Sequence, residues 1–165
     1  MTSRPLSVLI LCTGNSARSI LAEALLNKIG GDRFLALSAG SQPKGEVHPA
    51  ALELLAERGF ETGHFRSKSW DEFDDNSFGG QLDFIFTVCD SAAAETCPVW
   101  PGHPMTVHWG IPDPAAVETP GPQQRRAFEI AFDQLKQRIE AFVAIDNLDP
   151  RRDGLKAELQ AIGRL

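Results

Sequence analysis

The chain has 165 residues, 42% of them apolar and 23% charged, which suits one globular domain with a sizeable core. A formal charge of −6 argues against broad, sequence-independent binding to nucleic acid, which needs a basic face, but leaves room for a small basic pocket. No stretch approaches the roughly 18 apolar residues of a membrane span and the start lacks the form of a signal segment, so a cytoplasmic protein off the membrane is expected.

"SVLILC" (7–12) is a continuous apolar run, the pattern of a strand covered on both faces. "SILAEALLNKI" (19–29) follows, with Ile20, Ala24, Leu25 and Ile29 on one helical face and Gly30-Gly31 to end it. "RFLALSAG" (33–40) reads as a second strand, and "HPAALELLAERG" (48–59) as a helix with Pro49 near its start and Gly59 past its end. "LDFIFTVC" (82–89) is a third buried strand and "MTVHW" (105–109) a weaker fourth. A long helix over about 122–145 carries Phe128, Ala131, Phe132, Leu135, Ile139, Phe142 and Val143 on one face. After Asp149-Pro150, "DGLKAELQAIG" is a short amphipathic tail with Leu155, Leu159 and Ile162 on one face, expected to pack on the domain rather than on a second copy. The acidic "DEFDD" (71–75) reads as a solvated loop, and the four histidines, at no ligand spacing, as structural, with His108-Trp109 a possible brace for the loop that follows.

Alternating strands and helices imply an α/β fold, a parallel sheet with helices on both faces, whose ligand sits at the carboxyl ends of the strands. Cys12 and Cys89 both stand at such ends. In "CTGNSARS" a strand–loop–helix turn of small residues lets successive backbone N–H groups point inward, and Arg18 adds a planar fork for two oxygens of a tetrahedral oxyanion. The anion loop is thus Thr13, Gly14, Asn15, Ser16, Ala17, Arg18 and Ser19. A thiol aimed into that positive hollow is expected to ionise easily, which makes Cys12 a nucleophile. "PDP" presents Asp113 stiffly between two prolines, an arrangement that suits one working carboxyl group and an ordinary turn alike. The three cysteines form no CxxC pair and lie at no zinc spacing, so neither a structural disulfide nor a metal is expected. On the residues alone, Cys89 reads equally as a buried strand-end thiol, and Cys97 as a loop cysteine before Pro98.

The loop resembles the phosphate-binding loop of the low-molecular-weight protein tyrosine phosphatase fold. From Leu6 to Val143 the chain resembles the arsenate reductases built on that fold, with "CTGNSARS", "LSAGSQPKG", "VHP", "TVCD", "CPVWPG" and "HWGIPDP" in order. The resemblance implies a single three-layer domain, here 1–146 with a tail at 147–165, and a four-stranded parallel sheet of order 2-1-3-4. It implies that Asp113 protonates the departing oxygen. Phosphatases of the fold follow their Asp-Pro with tyrosines that wall an aromatic cleft; this chain has "DPAAVE" there and no tyrosine, which suits a small inorganic oxyanion. Trp70 or Trp109 could serve as such walls, but both fit packing better. In the implied cascade Cys12 attacks arsenate, Cys89 attacks Cys12 as arsenite leaves, and Cys97 carries the disulfide outward. Because a disulfide needs Cα atoms within about 7 Å, the segment between Cys89 and Cys97 is expected to rearrange.

The gap between those cysteines is longer than in the best-known thioredoxin-linked relatives, and Ala17 stands where they often carry another Cys. The expected reductant is thioredoxin, with glutathione and glutaredoxin the other route. Asn15, Glu23 and Ser38 match a potassium site of some relatives, whose fourth, acidic position is Lys68 here. Lys68 is therefore expected beside Glu23 with no bound potassium, a solvated surface lysine being the plainer alternative. No bound cofactor is expected, phosphate and sulfate should act as look-alike anions, and the protein should be a monomer. Two other readings remain at this stage: a phosphatase acting on phosphomonoesters through Cys12 alone, and an oxyanion or redox sensor without turnover.

Overall fold

The computed structural model describes residues 4–74, 80–89 and 100–165. Four strands, β1 (Leu6–Leu11), β2 (Phe34–Ala39), β3 (Phe84–Thr87) and β4 (Met105–His108), form one parallel sheet in the order β2-β1-β3-β4. The helices are α1 (Arg18–Gly30), α2 (Pro49–Glu57), α3 (Pro122–Val143) and α4 (Leu155–Ile162). The α/β class is the one the alternation implies and the sheet order the one the resemblance implies; β1 is shifted back by one residue relative to its apolar run, and the other three strands are one to four residues shorter than theirs. Those extra apolar residues, such as Leu82 and Val88, are buried in the approaches to the strands rather than in the ladder.

Leu9 pairs with Leu37 on one side and with Ile85 on the other, which puts the ends of β1 and β3 side by side. The central strands are buried at nearly every residue, so both of their faces are covered; edge strands β2 and β4 alternate buried with exposed residues. This difference follows from position in the sheet and explains why "MTVHW" gave the weaker signal.

The first two turns of α1 are buried all round, including Ser19, Ala22 and Glu23, where a single apolar stripe was expected. The helix is wedged between the sheet and α3, so small or paired polar residues are tolerated on its back. Gly31 closes it at φ 57°, the left-handed region open to glycine. In α3 the expected stripe is buried except Val143, which is half-buried, and Arg138 joins it at 5% exposure. The acidic stretch opens in a turn and not a solvated loop: Trp70–Phe73 form a 3-10 turn with Phe73 buried and Glu72 paired to Arg66. The tail packs on the domain, with Leu155 and Leu159 fully buried and α4 against β4 and α3. Among the described residues no helix is long and apolar enough to cross a membrane.

Candidate active site

Cys12 leaves β1 at the sheet's carboxyl edge, 6% exposed. The carbonyls of Thr13, Gly14 and Ser16 are taken from outside by the amides of Gln42, Lys44 and His48, at 2.9–3.0 Å, and that of Ala17 by Leu21. A peptide carries its N–H opposite its C=O. Turning these carbonyls out therefore turns the amides of residues 14, 15, 17 and 18 in, where no backbone acceptor among the described residues meets them. They line a hollow of about 40 Å³ together with Cys12, Arg18 and Asp113. Gly40 is needed beside this loop, because a Cβ there would lie 2.3 Å from the Thr13 carbonyl oxygen.

A buried polar frame fixes the loop from behind. Asn15, at φ 44°, donates through Nδ2 to Ser19 Oγ at 2.8 Å and Ser38 Oγ at 3.0 Å, and accepts from the Lys68 amide at 2.9 Å. Ser38 Oγ donates to Glu23 Oε1 at 2.5 Å, and Lys68 Nζ lies 3.7 Å from that same oxygen. Lys68 is 9% exposed and so not a solvated surface residue. Removing one member of such a buried pair typically costs about 3–5 kcal/mol, because the other charge is stranded.

Arg18 Nη1 donates to the Ile111 carbonyl at 3.0 Å, and Nη2 lies 3.6 Å from Asp113 Oδ2. Its Nε is buried without a partner among the described residues, a donor on the loop that an oxyanion would satisfy. Asp113, 42% exposed at its side chain, caps its own turn by accepting from the Ala115 amide at 3.0 Å. Above the hollow opens a cleft of about 640 Å³ bounded by Thr13, Arg18, Gln42, Pro43, Lys44, Cys89 and Asp113. No aromatic ring lines it among the described residues. Trp109 is buried and Trp70 meets Trp100 edge-on at 6.1 Å, so neither walls the cleft.

Cys89 ends the run after β3 and reaches across to the loop. Its Sγ accepts from the Thr13 amide at 3.4 Å and hydrogen-bonds Cys12. Structure and sequence part at this contact. The Cys89 hydrogen bond and burial push the Cys12 thiol above its ordinary range, and the negative charges of Cys89 and Asp113 add to this, while only Arg18 pulls it down. The expectation that Cys12 ionises easily on its own is thus corrected. Two thiols in contact titrate as a pair, and the second proton is the hard one to remove. Cys97 and the stretch expected to rearrange lie outside the described residues, which also contain no cluster of His, Cys, Asp and Glu able to hold a metal ion.

Residues 7–159 match the model of the low molecular weight phosphotyrosine protein phosphatase family. An arsenate reductase of Brevibacillus brevis is 36% identical over 136 residues, covering 82% of this chain and 92% of the relative. The chain belongs to the arsenate reductases of this family. Among solved structures, the arsenate reductase of Archaeoglobus fulgidus matches with a TM-score of 0.65 and 28% identity, over 84% of this chain and 99% of that one. A thioredoxin-dependent arsenate reductase of Corynebacterium glutamicum matches with a TM-score of 0.59 and 28% identity, over 82% of this chain and 61% of that one.

Set in that family, Lys44 stands out as a site residue that no sequence pattern singles out; it borders both the hollow and the cleft, with no carboxylate partner among the described residues, and adds a second cation at the mouth. Of the histidines read as structural, one has a defined role beside the loop. His48 caps α2, its Nδ1 accepting from the Ala50 amide at 3.0 Å, while its own amide holds Ser16. Burial and then the charge of Lys44 keep the imidazole below its ordinary range, against a weaker pull from Asp113. The neutral form is the folded one, so its stabilisation is complete above the unfolded value near 6.5 and is lost as pH falls toward the folded value. Lowering pH from 7.5 to 5.5 is expected to cost the wild type more stability than His48→Asn, which keeps a cap that cannot titrate. Urea unfolding at the two pH values measures this, and equal losses would refute it.

Proposed function

We propose that the protein reduces arsenate to arsenite in the cytoplasm through a cascade of three thiols. The Cys12–Cys89 pair releases one proton and passes the remaining one to Cys89, which leaves the thiolate on Cys12, facing Arg18 and the loop amides. That thiolate attacks arsenic and Asp113 protonates the departing oxygen, giving a covalent sulfur–arsenic(V) adduct with no change of oxidation state. Cys89 gives its proton to the Asp113 carboxylate left by the first step, and its thiolate attacks the Cys12 sulfur. The sulfur–arsenic electron pair passes to arsenic, arsenite leaves as arsenic(III), and a Cys12–Cys89 disulfide remains. Cys97 then attacks Cys89, frees the Cys12 thiolate, and leaves a Cys89–Cys97 disulfide that an external dithiol reduces. Phosphate and sulfate occupy the same hollow as look-alike anions, and the Lys68 ammonium beside Glu23 takes the place of a cation behind the loop.

The observation that carries this reading is the second sulfur in the cleft, hydrogen-bonded to the amide of Thr13 directly after Cys12. A phosphatase acting on phosphomonoesters uses one such thiol and gains nothing from a neighbour that holds its proton. The likeness to the thioredoxin-dependent Corynebacterium protein supports thioredoxin over glutathione and glutaredoxin as reductant. The test is arsenate-dependent consumption of reductant with thioredoxin and with glutathione/glutaredoxin in parallel, for the wild type and for Cys97→Ser. Turnover with thioredoxin that Cys97→Ser abolishes is expected. Turnover that survives Cys97→Ser, or that only glutaredoxin supports, would end the three-thiol form of the proposal.

A further inference from the structure

Arg138 is the feature that neither the core nor the thiol chemistry accounts for. It sits on the apolar stripe of α3 between Leu135 and Ile139, and burial bears against its charge. Its guanidinium meets no Asp or Glu side chain among the described residues. It donates instead to main-chain oxygens: Trp109 at 3.1 Å, Gly110 at 3.2 Å and Leu165 at 3.3 Å. A buried cation held by main-chain oxygens, with no acidic side chain beside it, is a costly way to fill a core position.

The same short segment is gripped from the tail. The Trp109 indole donates from Nε1 to the Leu159 carbonyl of α4 at 2.8 Å, while its ring stacks on Phe86 at 3.9 Å. Gly163 lies so close that a Cβ there would stand 2.7 Å from Trp109 Cδ1 and 3.1 Å from the His108 carbonyl oxygen. Beyond this clamp, Ile111 donates to the Val88 carbonyl at 3.2 Å and accepts from Arg18 at 3.0 Å. Asp113 follows two residues later between prolines that fix its φ neighbours, so a shift at Trp109 is passed on rather than absorbed.

We propose that Arg138 and helix α4 form a brace that positions Asp113 over the anion loop, acting through residues 109–111. The inference rests on Asp113 being the acid of the proposed reaction. Arg138 is a positioning residue, and the tail sets how fast the oxygen departs rather than how tightly arsenate binds. A misplacement of about 1 Å in such a group can cost about a hundredfold in rate.

The experiment uses the full chain, reduced, and follows arsenite release in a single turnover, so no external reductant limits the rate. Arg138→Met, which keeps much of the volume and loses the donors, is expected to slow release about tenfold or more with less than a twofold change in arsenate half-saturation. Arg138→Lys, which keeps a donor, should recover part of the rate. On an Asp113→Asn background Arg138→Met should add little, because both act through one group. Trp109→Phe keeps an aromatic ring beside Phe86 and gives up the indole N–H with its bond to Leu159, at the cost of some packing. It should slow release a few-fold in the same non-additive way, and it carries the test if Arg138→Met does not fold. Losses that multiply fully on the Asp113→Asn background, or an unchanged rate in a folded Arg138→Met or Trp109→Phe protein, overturn the brace alone. An unchanged rate in Asp113→Asn by itself overturns the acid assignment and the brace with it.

Discussion

Cys12→Ser is expected to lower arsenate reduction by at least about a thousandfold, because a hydroxyl in that position is neither ionised nor able to bond arsenic and then yield a disulfide. The loop amides and Arg18 remain, so phosphate binding should persist in the variant. Cys89→Ser should fail at a different point. Its Cys12 keeps the loop amides and Arg18, so the adduct should still form, yet no sulfur stands by to expel arsenite. A single-turnover assay separates the two variants. Cys12→Ser should give no arsenic bound to protein by mass, whereas Cys89→Ser should give one arsenic per chain and no arsenite in solution. Arsenite release by Cys89→Ser at the wild-type rate would remove the second thiol from the mechanism.

What could be read from the sequence was local. β1, the loop and α1 are contiguous, so the apolar run, the small residues and Arg18 state the anion cradle in twelve positions. The parallel sheet followed from alternation, and its order from the family resemblance. Harder to see was anything made by distant residues meeting. Cys12 and Cys89 are separated by a long stretch of chain, and their contact reverses the expected effect of the loop on the Cys12 proton. Lys44 drew no attention because a single lysine in a loop has no pattern. Arg138 did carry a signal: it falls three residues after Leu135 and one before Ile139, on the stripe itself, where a charge in an apolar row calls for an explanation. Lys68 was placed beside Glu23 by the resemblance, since neither propensity nor periodicity distinguishes a buried lysine from an exposed one.

Arg18→Ala is expected to cost about a hundred- to a thousandfold in kcat/KM for arsenate, the range seen when one preorganised donor to a developing oxyanion is removed. The guanidinium does three jobs in three directions. Nη1 holds the Ile111 carbonyl, Nη2 faces the Asp113 carboxyl, and the unpartnered Nε is left for the substrate. A buried donor without a partner costs about 1–3 kcal/mol, which an arriving oxyanion gives back, so part of the loss should appear in KM. Arg18→Lys keeps the charge but has no planar fork to serve Ile111 and the anion together, and it should recover less than a tenth of the loss. Because the same side chain ties the acid loop to the anion loop, both variants should also lower kcat. Steady-state rates over a range of arsenate, with phosphate as competing inhibitor, distinguish these effects. A KM and a phosphate inhibition constant unchanged in Arg18→Ala would mean that the anion is held by the loop amides alone, and that the arginine serves only to hold the Asp113 loop in place.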